Sequence, residues 1–209
     1  MNSDNTMTLH KYFNKVDSGP WTTFGKDVQI KLENRILYFQ CSKGFSDWAH
    51  NLLVTKAVYS NSDIEFIMHD GFSQLWLSVK DYIESLDFDI IVGYSEGAAL
   101  ATAAHENFFH RKGFEPETIT FGAPAMIYKP SAQLKQRFTH LYNFINPGDV
   151  VYYSTLLFGY QHVGQTIKLP KVKLAPARSV KEFILNASNH TPERYVLATL
   201  VYEEILTRR

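Results

Sequence analysis

The chain opens with an alternating stretch. In VQIKLENRILYFQC (Val28 to Cys41), apolar and polar residues take turns on either side of Glu33-Asn34, and a period of two broken by a turn predicts a β-hairpin. DIEFIMH, from Asp63, predicts another strand. The period then lengthens, with Phe72, Leu75, Trp76, Val79, Ile83 and Leu86 at the spacing of a helix that buries one face. FDIIVGY (Phe88 to Tyr94) is a short continuous apolar run, which predicts a strand covered on both faces. An alanine-rich helix follows it directly. TITFGAP and LYNFIN predict two further strands, YQHVGQTIKL an alternating one, and a last helix starts beyond His190. Thr191 is suited to cap that helix, Pro192 to its first position and Glu193 to its positive end. Strands alternating with helices in the middle of the chain predict an α/β fold with parallel central strands, and the hairpin at the flank makes the sheet mixed. Residues 1–20 are polar, end in Ser-Gly-Pro and read as a loosely packed N-terminal arm; residues 21–209 read as a single domain.

Composition narrows the classes of function. Formal net charge is zero and no basic stripe mixes with aromatics, so nucleic acid is not an expected partner. Cys41 is the sole cysteine, which rules out an internal disulfide and leaves too few thiols for a thiolate metal cage; no metal and no cofactor is expected. The polar start lacks the apolar core of a secretory signal, and no apolar span reaches bilayer length, so the expectation is a chain without a transmembrane segment, read as cytoplasmic.

Candidate chemistry sits at Gly93-Tyr94-Ser95-Glu96-Gly97, where the buried strand runs into the alanine-rich helix. A serine hydroxyl becomes a useful nucleophile only when a base removes its proton and donors receive the oxyanion that forms. In a nucleophile elbow the serine occupies a strained strand-to-helix turn, and very small residues two places to either side avoid a clash. Gly93 and Gly97 satisfy that demand, while Ala98, Ala99, Ala101, Ala103 and Ala104 keep the helix thin enough to approach the sheet. In α/β-hydrolases the acid and then the histidine follow the serine along the chain. Asp149 is the only aspartate after Ser95, and it lies just past a predicted strand. His162 and His190 are the only histidines after Asp149. His190, in the polar loop NASNHTPERY, is the better base; His162, within an alternating strand, is the alternative.

With those residues in place, the sequence resembles the class 3 lipases, the fungal-lipase-like branch of the α/β-hydrolases. FQCSKGFSDWAHNL is similar to the family's strand that ends in the oxyanion serine or threonine and continues to a lid-region tryptophan. MHDGF, GYSEGAAL, TFGAP, NPGDVV, HVG and the closing His190 to Tyr195 spacing match further blocks in the family's order, from about Leu37 to Tyr195. The resemblance implies an α/β-hydrolase fold with a mixed, mostly parallel central sheet and helices on both faces. It implies a serine ester hydrolase, a lipase or carboxylesterase, with Ser95, Asp149 and His190 as catalytic residues. His162 then becomes structural. The oxyanion hole falls to Ser42 and to the backbone N–H of Glu96, and Trp48 to the lid region. The sequence departs from the family at Gln40 for arginine, Cys41 for glycine, Tyr94 for histidine and Glu96 for leucine. A carboxylate at Glu96 opposes a developing oxyanion unless it turns to solvent or meets a cation.

Phe45, Trp48 and Leu52 recur at helical spacing beside Ser42, which fits a small amphipathic lid over an acyl pocket or, equally, ordinary core packing. The partners this reading implies are an acyl ester or lipid substrate and transient contact with a lipid interface. Two alternatives stay open at this stage: another serine hydrolase or acyltransferase, such as a thioesterase or peptidase, and a binding module that keeps the fold without turnover.

Overall fold

The computed structural model describes residues 8–24, 28–41, 55–173 and 189–207. Ser42, Phe45, Trp48 and Leu52 lie outside the described residues, as does any lid they form.

The alternation of Val28 to Cys41 becomes two paired strands, β2 (Val28–Glu33) and β3 (Ile36–Cys41), with β1 (Thr22–Phe24) antiparallel to β2. Their connection is the two-residue loop Asn34-Arg35, both at positive φ (52° and 62°), the backbone that a tight hairpin with right-handed twist demands. A parallel sheet continues from β3 through β6 (Ile90–Tyr94), β7 (Glu117–Phe121), β9 (Leu141–Ile145) and β11 (Gln165–Lys168). The whole forms a seven-stranded sheet in the order β1-β2-β3-β6-β7-β9-β11. A four-stranded sheet, β10-β8-β5-β4, is antiparallel: β4 is Lys56–Ser60, β5 Glu65–His69, β8 Ile127–Tyr128 and β10 Tyr160–Gln161.

Strand alternation sorts the main sheet's side chains into two cores. Leu37, Phe39 and Ile91 point to the face covered by α2 (Asp70–Glu84) and α3 (Glu96–Lys112), with Phe72, Trp76, Val79 and Ile83 supplied by α2 as its spacing predicts. Ile36, Tyr38, Val92, Tyr94, Ile119 and Phe121 point to the opposite face, covered by α1 (Leu9–Asp17) and α6 (Pro192–Thr207). This is an α/β-hydrolase arrangement, a mostly parallel central sheet with helices on both faces.

Three expectations need correction. Residues 9–17 of the expected arm form α1, capped by the Thr8 side chain on the Lys11 amide, and bury Tyr12, Phe13 and Val16. Leu9, Tyr12, Phe13 and Val16 recur at helical spacing among polar neighbours, but two and a half turns are marginal for an isolated helix, and burial against the sheet supplies what local propensity does not. YQHVGQTIKL is not one strand. It splits into β10 and β11, in different sheets, because the chain bends at Gly164 (φ 78°), where a Cβ would stand 2.4 Å from the Leu141 carbonyl oxygen. Finally, the buried Thr191 hydroxyl has no hydrogen-bond partner among the described residues. Thr191 starts α6 through its carbonyl, which accepts from the amides of Arg194 (3.2 Å) and Tyr195 (3.3 Å).

Candidate active site

Ser95 lies between β6 and α3 with φ 57° and ψ −127°, a backbone region that costs about 1–3 kcal/mol for a residue with a side chain. What holds it there is tight packing of small groups. A Cβ on Gly93 would come within 2.6 Å of the Ala98 Cα, and one on Gly97 within 2.5 Å of the Phe39 carbonyl oxygen. Glycine at both positions therefore lets α3 close onto β6 and β3. The Ser95 amide donates to the Phe121 carbonyl at 2.9 Å, tying the turn to the neighbouring strand. Ser95 is 7 % exposed, and α3 points its first amides, which have no acceptor within the helix, toward it.

The two other sequence-predicted members arrive from the ends of β9 and of the 189–191 loop. Asp149 caps α5 (Val150–Ser154), its Oδ1 accepting from the amides of Val151 (2.9 Å) and Tyr152 (3.2 Å). His190 Nδ1 stands 2.9 and 2.8 Å from the two Asp149 oxygens, and His190 Nε2 stands 2.8 Å from Ser95 Oγ. The structure thus brings Ser95, His190 and Asp149 into one hydrogen-bonded line, buried throughout. The tautomer that fits has the proton on Nδ1, donated to the carboxylate, and an unprotonated Nε2 that accepts from the serine hydroxyl.

His162 goes elsewhere. Its ring stacks on Tyr152 (3.7 Å between centroids, 5° between planes) and its Nε2 donates to the Tyr152 carbonyl at 2.9 Å. Burial lowers its pKa to about 4, so it is a neutral brace for α5.

Three supporting residues escaped the sequence reading. Tyr195 is fully buried and its hydroxyl donates to Asp149 Oδ2 at 2.5 Å while accepting from the Asn146 amide at 3.3 Å. Burial, and next the Asp149 charge, push its pKa well above the ordinary tyrosine value, so it remains a donor. Tyr94, where the lipase family has histidine, lies nearly parallel to the His190 ring (5.2 Å, 17°) and donates through its hydroxyl to the His190 carbonyl. Phe13 of α1 packs against Tyr94, Phe121 and Tyr195 together, closing an aromatic box behind the triad. An aromatic inside an apolar run reads as core in any sequence, so only the 190-to-195 spacing hinted at Tyr195.

Gly122, within TFGAP, has the opposite role, that of making room. Its φ is 58°, and a Cβ there would meet His190 Cε1 at 2.7 Å, the Tyr195 hydroxyl at 2.8 Å and Asp149 Oδ2 at 2.9 Å. Glu96 is 5 % exposed, so its carboxylate does not turn to solvent as one of the two expected escapes required. Ser42, the other expected oxyanion residue, is outside the described residues. Among the described residues no group of three or more His, Cys, Asp or Glu side chains is placed to hold a metal ion, and no helix is long and apolar enough to cross a membrane.

No family model and no curated protein matches the sequence. Solved structures do match in fold. Lip2 lipase from Yarrowia lipolytica aligns with a TM-score of 0.56 at 17 % identity, over 69 % of this chain and 62 % of its own. Lipase II from Rhizopus niveus gives 0.57 and 17 %, over 68 % and 60 %. The mono- and diacylglycerol lipase from Aspergillus oryzae gives 0.54 and 22 %, over 72 % and 60 %. The fold is therefore that of the fungal lipases, and this chain spans about three fifths of the length of the lipases it matches.

Proposed function

We propose that this chain is a serine carboxylic-ester hydrolase that works through an acyl-enzyme. The observation that carries the reading is the continuous path Ser95 Oγ, His190 Nε2, His190 Nδ1, Asp149, anchored to a strained serine at a strand-to-helix turn. His190 takes the hydroxyl proton on Nε2 as Ser95 Oγ bonds to the ester carbonyl carbon. The positive imidazolium is held by Asp149, whose carboxylate accepts from four donors: two backbone amides, Tyr195 and His190. The tetrahedral intermediate collapses, the C–O bond to the alcohol breaks, and Nε2 returns the proton to the leaving oxygen. Water then repeats the sequence on the acyl-enzyme with His190 again as base, releasing the acid and restoring Ser95.

The oxyanion is assigned to the backbone N–H of Glu96 at the start of α3, with Ser42 as the second donor. Each such donor is worth roughly a hundredfold to a thousandfold in turnover. The substrate is an acyl ester or a lipid. Glu96 places a buried carboxyl one residue from the nucleophile, and its proposed role is to set substrate choice or pH response; Glu96→Leu with unaltered chain-length and pH profiles removes that role.

The experiment that tests the reading is labelling with a fluorophosphonate probe, followed by mapping of the adduct. Labelling at Ser95 that disappears in Ser95→Ala and His190→Ala is the expected result, and turnover of acyl esters of graded length then defines the substrate. A folded wild-type protein that takes up no probe refutes it.

A further inference from the structure

β9 and β11 run parallel and leave the sheet at the same end, tied together there by the Leu169 amide on the Ile145 carbonyl at 2.8 Å. Beyond that bond the two segments part around a cavity of about 380 Å³. Asn146 and Pro147 wall it from the β9 side and residues 170–173 from the β11 side, with Asn189 and Arg194 closing it from the last segment of the chain. In open α/β sheets, ligands bind in the crevice outside the carboxyl ends of the strands. A volume above about 300 Å³ is enough for a small organic molecule.

The charge of the walls is of one sign. Among the described residues, Lys171, Lys173 and Arg194 line the cavity and no acid does. The Arg194 Nη1 donates to the Val172 carbonyl at 2.9 Å, which fixes the guanidinium against the segment that carries both lysines. Arg194 also lies in the first turn of α6, whose positive end adds to the field of the three side chains. Like charges gathered without an acid repel one another, and an anion relieves that repulsion.

One acceptor in the same walls lacks a donor. Asn146 is 1 % exposed, its Nδ2 donates to the Asn189 carbonyl at 3.3 Å, and its buried Oδ1 has no hydrogen-bond partner among the described residues. Turning the amide over brings no gain, because it sets Oδ1 against the Asn189 carbonyl. A bare anion suits the cations and repels this oxygen. An oxyanion that carries a hydroxyl suits both, giving its charge to the ammonium and guanidinium groups and its O–H to Asn146 Oδ1. A phosphate group offers three strong acceptor oxygens to the three cations, where a carboxylate offers two.

We propose that this cavity binds a hydroxyl-bearing phosphate, either inorganic hydrogenphosphate or a small phosphate monoester with a free hydroxyl. The site is separate from the chemistry at Ser95 and does not rest on the ester-hydrolase reading. Its occupant nonetheless braces that centre, since Asn189 precedes His190 and Asn146 lies on the turn that leads to Asp149.

The test is calorimetric titration of the full chain, at constant ionic strength, with inorganic phosphate, glycerol 3-phosphate and sulfate. At about pH 8 inorganic phosphate keeps one proton, while sulfate has the same charge and none. One site per chain is expected, with sulfate at least about tenfold weaker than the better phosphate because it offers Asn146 no donor. That phosphate at ten times its Kd should raise Tm by about 3–6 °C. Lys171→Gln combined with Lys173→Gln should weaken phosphate at least about tenfold, and should leave the melt of the unliganded protein unchanged because both side chains are exposed. Asn146→Leu should bring phosphate and sulfate to within about threefold of each other; if that variant does not fold, the lysine pair still decides. Tighter glycerol 3-phosphate gives the site to a monoester, and tighter inorganic phosphate gives it to the free ion. No binding of either phosphate by titration and melt, sulfate bound as well as phosphate, or lysine variants that bind as wild type overturn the proposal. Phosphate binding by a protein that takes up no fluorophosphonate leaves this site standing and removes the hydrolase, and probe uptake without phosphate binding does the reverse.

Discussion

Tyr195→Phe removes one oxygen from a fully enclosed place, and its consequences follow from two hydrogen bonds. The hydroxyl donates to Asp149 Oδ2 at 2.5 Å and accepts from the Asn146 amide at 3.3 Å. A hydrogen bond to a charged group is worth about 1.5–3 kcal/mol, and orphaning a buried amide adds a further share, smaller here because the contact is long. The phenyl ring keeps its place against Phe13, Tyr94 and Phe121, so no cavity opens. The expected destabilisation is about 3 kcal/mol in total, which for a chain of this size lowers Tm by about 6–12 °C. Turnover should fall by less than about tenfold, because Asp149 retains the Val151 and Tyr152 amides and His190. Thermal melts and ester kinetics on Tyr195→Phe, Asp149→Asn and the double variant give the assay. The cost of Tyr195→Phe should drop by at least about 1 kcal/mol in the Asp149→Asn background, since the charged acceptor is gone. Tyr195→Phe that melts with wild type, or that costs the same in both backgrounds, refutes the assignment of Tyr195 as support for the carboxylate.

Gly122→Ala should be more damaging to activity than its size suggests, because the added methyl collides with His190, Tyr195 and Asp149 at once; loss of labelling at Ser95 in a protein that still melts cooperatively checks this. Phe13→Ala should cost about 3–5 kcal/mol by opening the aromatic box, measured by urea unfolding. Acid should destabilise the fold in a defined window. Burial lowers the pKa of His105 and of His162 to about 4, below the unfolded value, so their contribution is intact above about 6.5 and is lost as pH falls through about 4. Asp17 acts with the opposite sign. Burial, then the Glu193 charge, raises it to about 6, so its contribution is present at low pH and lost as pH rises through about 6; Asp17→Asn should raise Tm above that pH and leave it unchanged well below.

The central strand and the tight turn at Ser95 were legible because the continuous run Phe88 to Tyr94 and the flanking glycines are local signals of burial and tight backbone. Asp149 and His190 were legible by chain order, which needs no geometry. What stayed hidden is what depends on distant partners. Phe13 sits in a polar stretch and acquires meaning only by meeting Tyr94 and Tyr195. The alternation of YQHVGQTIKL is real in the sequence and yet serves two sheets, since a backbone bend at Gly164 leaves no trace in hydropathy. Tyr94 looked like a departure from the lipase pattern at a functional position, and its contacts make it a holder of the His190 loop.

The aromatic box also sets an order of events during synthesis. Its members stand at positions 13, 94, 121 and 195, and α1 is fastened to α6 by the His10 amide on Glu203 and by His10 Nδ1 with Thr199. A ribosome-bound chain that has emerged as far as β11 owns the serine and its carboxylate but lacks His190 and the wall that steadies it. On the proposed function, reactivity toward an acyl probe therefore waits until residues 189–207 have left the tunnel. Probe labelling of stalled nascent chains would then report the packing of that segment against α1, with Ser95 silent in every shorter species.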